Sequence, residues 1–246
     1  MNIILADQDE IENGRVVLEG ERADHIVKVL RAKENDTVRF GVLDGEKGRG
    51  TIVSIKNKHP RMVELKVELT EPLGPLPRID LVVAMARPIM IRRILSQATA
   101  LGVGTFHIIH ANRVEKSFWE ASMLEQESFY DYLIQGLEQS VDTRMPEVIF
   151  HRRFKPFVED VIPTIADQYS HMLLGHPGGE YSLAESIEGQ AERILLAVGP
   201  EGGWVDYEVE KFRDARFMPF TIGSRILKVD TAVVALHARI SQICGE

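Results

Sequence analysis

The rhythm of apolar and polar side chains changes about a third of the way along the chain. Up to about residue 70, "TVRFGV" (37–42), "RGTIVSI" (49–55) and "MVELKVEL" (62–69) alternate apolar with polar positions, the period of half-buried strands. The stretches "LDGEKG" and "NKHP" between them are turn material. One short helix interrupts the strands, "ERADHIVKVLRA" over 21–32, with Ile26, Val29 and Leu30 on one face. The segment "EPLGPLPR" (71–78) then packs three prolines and a glycine into eight residues. That is a stiff linker. It predicts a β-rich domain over 1–72 and a second domain over 73–246.

Beyond the linker the strands become continuous apolar runs and alternate with helices. "IDLVVAMA" reads as a strand, "IRRILSQATALG" as a helix ended by Gly102, and "TFHIIHA" as a strand. A long helix is expected over 118–140. The strands "EVIFH", "SHMLLGH" (near 170–176), "RILLAVG" (193–199) and "RFMPFTI" follow. A helix over 205–215 carries Val205, Val209 and Phe212 on one face. The closing helix starts near Asp230 and presents Val233, Leu236, Ile240 and Ile243. Strands alternating with helices predict an α/β fold, a parallel sheet with helices on both sides.

The composition, 44% hydrophobic and 27% charged, is ordinary for a globular protein. Apolar runs are too short to span a bilayer. The N-terminus lacks the pattern of a signal peptide. The one cysteine, Cys244, excludes an internal disulfide and a cysteine-rich zinc site. The expected location is cytoplasmic, with no membrane partner and no metal. His107, His110, His171 and His176 fall at strand ends without ligand spacing. The net charge of −8 weighs against a nucleic-acid partner, yet residues 78–116 hold six Lys/Arg against two Asp/Glu. That stretch is either a solvated helix face or a patch for a polyanion.

Three strand ends in the last third share one peculiarity. "LLGHPGG", "AVGPEGGW" and "FTIGSRILKVDTA" each place glycine at or just after the end of a strand. Open α/β sheets bind ligands at the carboxyl ends of their strands, and glycine lets the backbone approach a ligand closely. Each loop alone also fits a plain tight turn. Together they point to one backbone-lined pocket.

"VGPEGGW" followed by "IGSRILKVDTA" resembles the signature pair of the SPOUT methyltransferases, specifically the ribosomal small subunit methyltransferase E family. "HIVKVLRAKENDTV" is similar to that family's N-terminal RNA-binding segment. "ATALGV", "NRVEKS" and "LEQSVDTRMPEV" match its middle segments in order. The resemblance implies a PUA-like β-barrel at the N-terminus and an α/β domain with a C-terminal trefoil knot. It implies S-adenosylmethionine held by three loops: Leu174, Gly175, His176 and Pro177 in the first; Gly199, Pro200, Gly202 and Gly203 in the second; Ile222, Gly223, Ser224, Ile226, Leu227 and Val229 in the third. It further implies a homodimer that methylates N3 of a uridine in 16S ribosomal RNA or the small ribosomal subunit. Arg113 and Arg144 match arginines of the family's middle segments and are candidate RNA contacts. His25, Lys28 and Arg31 on the first helix suit phosphate contact. The chain departs from the family pattern at Gln97, Ala100 and Val205; after Val205, Asp206 is the expected helix cap.

The chemistry sets the catalytic candidates. Uridine N3 becomes a nucleophile only on losing its proton, and the charge spreads to the ring carbonyl oxygens. Arg225, on the signature loop, would stabilise that charge. Glu201 would accept the proton or anchor Arg225. Two alternatives stay open: the same fold acting on another RNA, and an RNA-binding protein without chemistry.

Overall fold

The computed structural model describes residues 1–58, 60–120 and 126–245. It divides into two compact units, Met1–Pro75 with Ile134–Met145, and Leu76–Leu133 with Pro146–Glu246.

The first unit is built on five strands: β1 (Ile4–Ala6), β2 (Arg15–Glu19), β3 (Thr37–Val42), β4 (Lys47–Lys56) and β5 (Met62–Glu71). Their order is β1-β3-β4-β5-β2, with only β1 and β3 parallel. The period-two reading holds in detail: Val16 and Leu18 are buried while Arg15, Val17 and Glu19 face out. Two register shifts in β4, at Lys47/Gly48 and Ile52/Ser54, break the ladder locally and bend the strand. The core gathers Leu18, Ile26, Phe40, Ile52, Val63 and Leu65. The expected helix over 21–32 is shorter and wider than its periodicity suggests, one α-turn at Gly20–Asp24 running into a π-turn at His25–Val29. Ile26 alone of its apolar trio is buried, whereas Val29 and Leu30 are exposed. The turn at "NKHP" includes His59, which lies outside the described residues.

Residues 134–145 complete this unit. Leu137 packs with Ile3 and Leu5 beside Ile134, Val141 and Met145. A Cβ on Gly41 would lie 2.6 Å from the Thr143 methyl, so only glycine admits this segment against β3. Of the helix expected over 118–140, a 3-10 turn at Lys116–Glu120 and an α-helix at Gln126–Ser140 are observed, and residues 121–125 lie outside the described set.

Glu138, on that helix, is buried, and burial pushes its carboxyl up to about 7. A carboxyl raised above its ordinary value near 4.5 favours the fold at low pH, and that contribution is lost as pH rises through about 7. In the second unit, burial lowers His107 and His237 to about 4. Imidazoles lowered below 6.5 act in the opposite sense, and the stability they permit falls as pH drops from 6.5 towards 4. In Glu138→Gln only the imidazole effect remains. Its urea midpoint should therefore fall more steeply than that of the parent between pH 7 and pH 5. Identical slopes would show that Glu138 is ionised throughout.

The second unit holds seven strands: β6 (Ile79–Ala84), β7 (Thr105–Ile109), β8 (Glu147–His151), β9 (His171–Gly175), β10 (Tyr181–Ser182), β11 (Ile194–Val198) and β12 (Met218–Thr221). The order is β10-β12-β9-β11-β6-β7-β8, and every neighbouring pair is parallel. Strands β6 and β11 are buried along their whole length, as continuous apolar runs in a covered parallel sheet must be. The helices Pro88–Ala100 and Val229–Cys244 pack against each other. Of the closing helix, Val233, Leu236 and Ile240 are buried within this chain, whereas Ile243 is 44% exposed.

At the amino end of the sheet sits a buried charge. Asp80 on β6 is fully buried, and its Oδ2 accepts from Arg193 Nε at 2.9 Å and from the Tyr169 hydroxyl at 2.8 Å. Arg193 also lies over the Tyr169 ring, 5.2 Å from its centroid. Burial and the Asp80 charge raise the Tyr169 hydroxyl far above its ordinary value.

Candidate active site

Strands β12, β9 and β11 are consecutive in the sheet. The three glycine-bearing loops that follow them therefore open side by side, at the carboxyl edge of the sheet. They enclose a cavity of about 410 Å³, within the usual range for a small-molecule site. Its walls are Gly175, His176 and Pro177 after β9; Gly199, Pro200, Glu201, Gly202 and Gly203 after β11; and Ile222, Gly223, Arg225, Ile226, Leu227 and Val229 after β12. Two expected residues do not line it. Leu174 is fully buried inside β9, and Ser224 faces solvent.

The loops keep their shape for local reasons. Gly203 (φ +73°) and Gly223 (φ +130°) adopt backbone conformations that L-residues rarely take. Residues 200–203 close a turn, with Gly203 N–H donating to the Pro200 carbonyl at 2.8 Å. A Cβ on Gly199 would come within 3.1 Å of the Trp204 indole, and one on Gly202 within 2.9 Å of the Arg113 side chain. These glycines make room for Trp204 and Arg113 as much as for any ligand. The Gly178 N–H donates to His176 Nδ1 at 3.1 Å, and burial together with Arg213 holds the imidazole below its ordinary range.

The helix Asp206–Asp214 starts without the Asp206 cap expected from sequence. Instead the buried Glu208 reaches back. Its Oε2 accepts from Val205 N–H at 3.0 Å and its Oε1 from Asn112 N–H at 2.6 Å. One carboxylate thus satisfies an orphan helix donor and ties the loop after β7 to the loop after β11.

Three arginines converge here, in different states. Arg113 lines the cavity, and its guanidinium donates to the Gly202 carbonyl. Arg87 places its Nε 3.6 Å from the Glu201 carboxylate, a largely exposed ion pair. Arg225 is exposed and lines the cavity with no ion-pair partner among the described residues. Its neighbour Ile226 is 77% exposed. The Nε1 of Trp204 is buried without a hydrogen-bond partner among the described residues, a cost that native structures seldom carry without reason.

Five of the six basic side chains in the stretch 78–116 have partners among the described residues. Besides Arg87 and Arg113, Arg78 donates to the Cys244 carbonyl at 3.1 Å, Arg93 lies 3.7 Å from Asp230, and Arg92 lies over the Tyr132 ring. The remaining RNA candidates belong to the first unit. There, Arg144 donates to the Gly74 carbonyl at 2.6 Å, Lys28 pairs with Asp24 at 2.7 Å, and His25 Nε2 lies 3.1 Å from the Met1 carbonyl. Arg31 is exposed in a left-handed conformation (φ +54°).

Sequence reasoning missed Arg87, Trp204 and Leu236 as wall or loop-holding residues. Arg87 had a signal, since it stands at the carboxyl end of β6 just before Pro88, the first residue of a helix. Leu236 was visible only as a core position on a helix face.

A family model for an RNA methyltransferase domain matches residues 74–241. The chain belongs to the RNA methyltransferase family. A second model, for the RNA methyltransferase PUA domain, matches residues 18–61. Among relatives of this RNA methyltransferase, the ribosomal RNA small subunit methyltransferase E of Treponema pallidum is 29% identical over 97% of this chain and 90% of its own length. The ribosomal RNA small subunit methyltransferase E 1 of Borreliella burgdorferi is 27% identical over 96% and 95%. The crystal structure of a ribosomal RNA small subunit methyltransferase E from Neisseria gonorrhoeae bound to S-adenosyl methionine shares the fold. Its TM-score is 0.76 at 20% identity, over 99% of this chain and 98% of that one. Among the described residues, no helix of this methyltransferase is long and apolar enough to cross a membrane, and no group of three or more His, Cys, Asp or Glu is placed to hold a metal.

Proposed function

We propose that this protein transfers a methyl group from S-adenosylmethionine to N3 of a uridine in the 16S RNA of the small ribosomal subunit, acting as a cytoplasmic homodimer. The observation that carries the reading is the cavity: three adjacent strand ends, a wall largely of loop backbone, and the Arg225 guanidinium lining it without an ion-pair partner among the described residues. The residues present fit the donor. Glycines leave backbone groups accessible, Leu227 and Leu236 supply apolar wall, and the buried Trp204 Nε1 has no acceptor among the described residues. The knot of the resembling family is the arrangement in which these three loops would hold that donor.

When bound, S-adenosylmethionine supplies an electrophilic methyl group on a sulfonium. The chain's own residues must prepare the uracil. Glu201 accepts the N3 proton while its ion pair with Arg87 holds the carboxylate in place. Arg225 stabilises the charge that spreads onto the ring carbonyl oxygens. The turn at 200–203, fixed by Arg113, keeps Glu201 in register with the cavity. Exposed Ile226, at 77%, is the apolar side chain that a second subunit or the substrate would cover.

The test is direct. The protein is incubated with a labelled methyl donor and small ribosomal subunits lacking the modification, and the modified base is mapped. One methyl per subunit, on N3 of a single uridine, is expected. A methyl on a ribose or another base, or transfer only to a different RNA, would overturn the assignment.

A further inference from the structure

A second concave surface lies wholly in the first unit. Its floor is the outer face of β3 and β4, and its lining includes Arg39, Lys47, Arg49, Glu68, Thr70 and Glu71. Its volume is about 670 Å³. The register of the ladder sets Arg39 directly opposite Arg49. Like charges directly opposite on antiparallel strands are destabilising. The nearby carboxylates do not resolve it. Glu68, opposite Arg49 on β5, is paired with Lys66 at 3.3 Å, and Glu71 lies 3.9 Å from Lys47. Lys47 also donates to the Val141 carbonyl at 3.1 Å, which fixes its stem on the rim. Both guanidiniums are exposed and have no ion-pair partner among the described residues.

We infer that this groove is where the first unit grips RNA, with consecutive backbone phosphates seated on Arg39 and Arg49. The inference rests on the proposed function and moves its RNA contact away from the first helix. On that helix Lys28 shares the Asp24 carboxylate with Arg61, and His25 faces a main-chain carbonyl. A phosphate on each guanidinium neutralises the charge behind the repulsion that this strand pair carries, and a planar fork meets phosphate oxygens two at a time. The occupant is RNA under the proposed function, and two exposed guanidiniums without ion-pair partners among the described residues suit a phosphate backbone.

Two variants separate the two faces: Arg39→Ala with Arg49→Ala, and Lys28→Ala with Arg31→Ala. Binding of a 16S ribosomal RNA transcript is measured across a salt series. For the groove variant the slope of log K against log salt should become shallower by roughly 1.4 to 1.8, two phosphate contacts' worth. Its thermal midpoint should stay level or rise, because a like-charge pair is gone. The helix variant should keep the parent slope. A groove variant with parental slope and affinity overturns the inference, as does a helix variant that loses more. Methyl transfer to subunits, run on the same samples, distinguishes the failures. A parent that transfers no methyl while the slopes still differ refutes the proposed function and leaves the groove. Normal transfer with no difference in slope refutes the groove alone.

Discussion

Replacing Arg225 by alanine should slow methyl transfer by roughly 100- to 1000-fold, the usual cost of one preorganised donor aimed at developing charge. Cofactor affinity should stay near that of the parent, because the contact is made mainly in the transition state. The structure makes the experiment clean. Arg225 lines the cavity but is exposed, and it holds no other part of the chain through an ion pair among the described residues. Its loss should therefore leave the fold intact, whereas Arg113, bonded to the Gly202 carbonyl, also positions a loop. Arg225→Lys should recover only part of the rate, since an ammonium lacks the planar fork. Single-turnover transfer at saturating donor, with sedimentation to follow assembly, reads both quantities. Near-parental turnover in Arg225→Ala would remove the residue from the chemistry.

The largest loss of stability is expected from Arg193→Met. It leaves the Asp80 carboxylate, fully buried on β6, with only the Tyr169 hydroxyl. Breaking a buried pair by removing one partner costs about 3–5 kcal/mol. The lower end applies here, because the Arg193 side chain is 38% exposed and Tyr169 still donates. The double variant Arg193→Met with Asp80→Asn should recover part of the loss, since no buried charge remains. Urea unfolding measures all three, and a midpoint unchanged in Arg193→Met would mean that this buried pair does not hold the fold. The pair sits at the amino edge of the strands and the cavity at the carboxyl edge, so these variants should spare cofactor binding.

Several elements were legible because their physics is local. Strands β6 and β11 are continuous apolar runs, and both are buried throughout. The alternation in β3, β4 and β5 and the Gly102 stop, at φ +87°, needed no neighbours to be read. Shorter or irregular pieces escaped. β1 has three residues and β10 two, too few for a period to register. The π-turn at Phe157–Val161 interrupts the helical repeat of its segment. The three loops of the site were readable as glycine-rich strand ends pointing to one pocket, and the sheet order β12-β9-β11 is what sets them side by side.

By itself the sequence determined the alternation of strands and helices, the glycine turns, and the residue types available at each strand end, because backbone conformation and amphipathic period depend on neighbours a few positions away. Only the tertiary structure decided which of those residues meet. Glu201 pairs with Arg87, Arg113 with the Gly202 carbonyl, and Glu208 with Val205 and Asn112. Residues 134–145 join the first unit across a long stretch of intervening chain. Arg39 faces Arg49 only through the register of β3 on β4. Each of these depends on sheet order or strand register, and those are set by burying many apolar side chains at once rather than by any local stretch of chain.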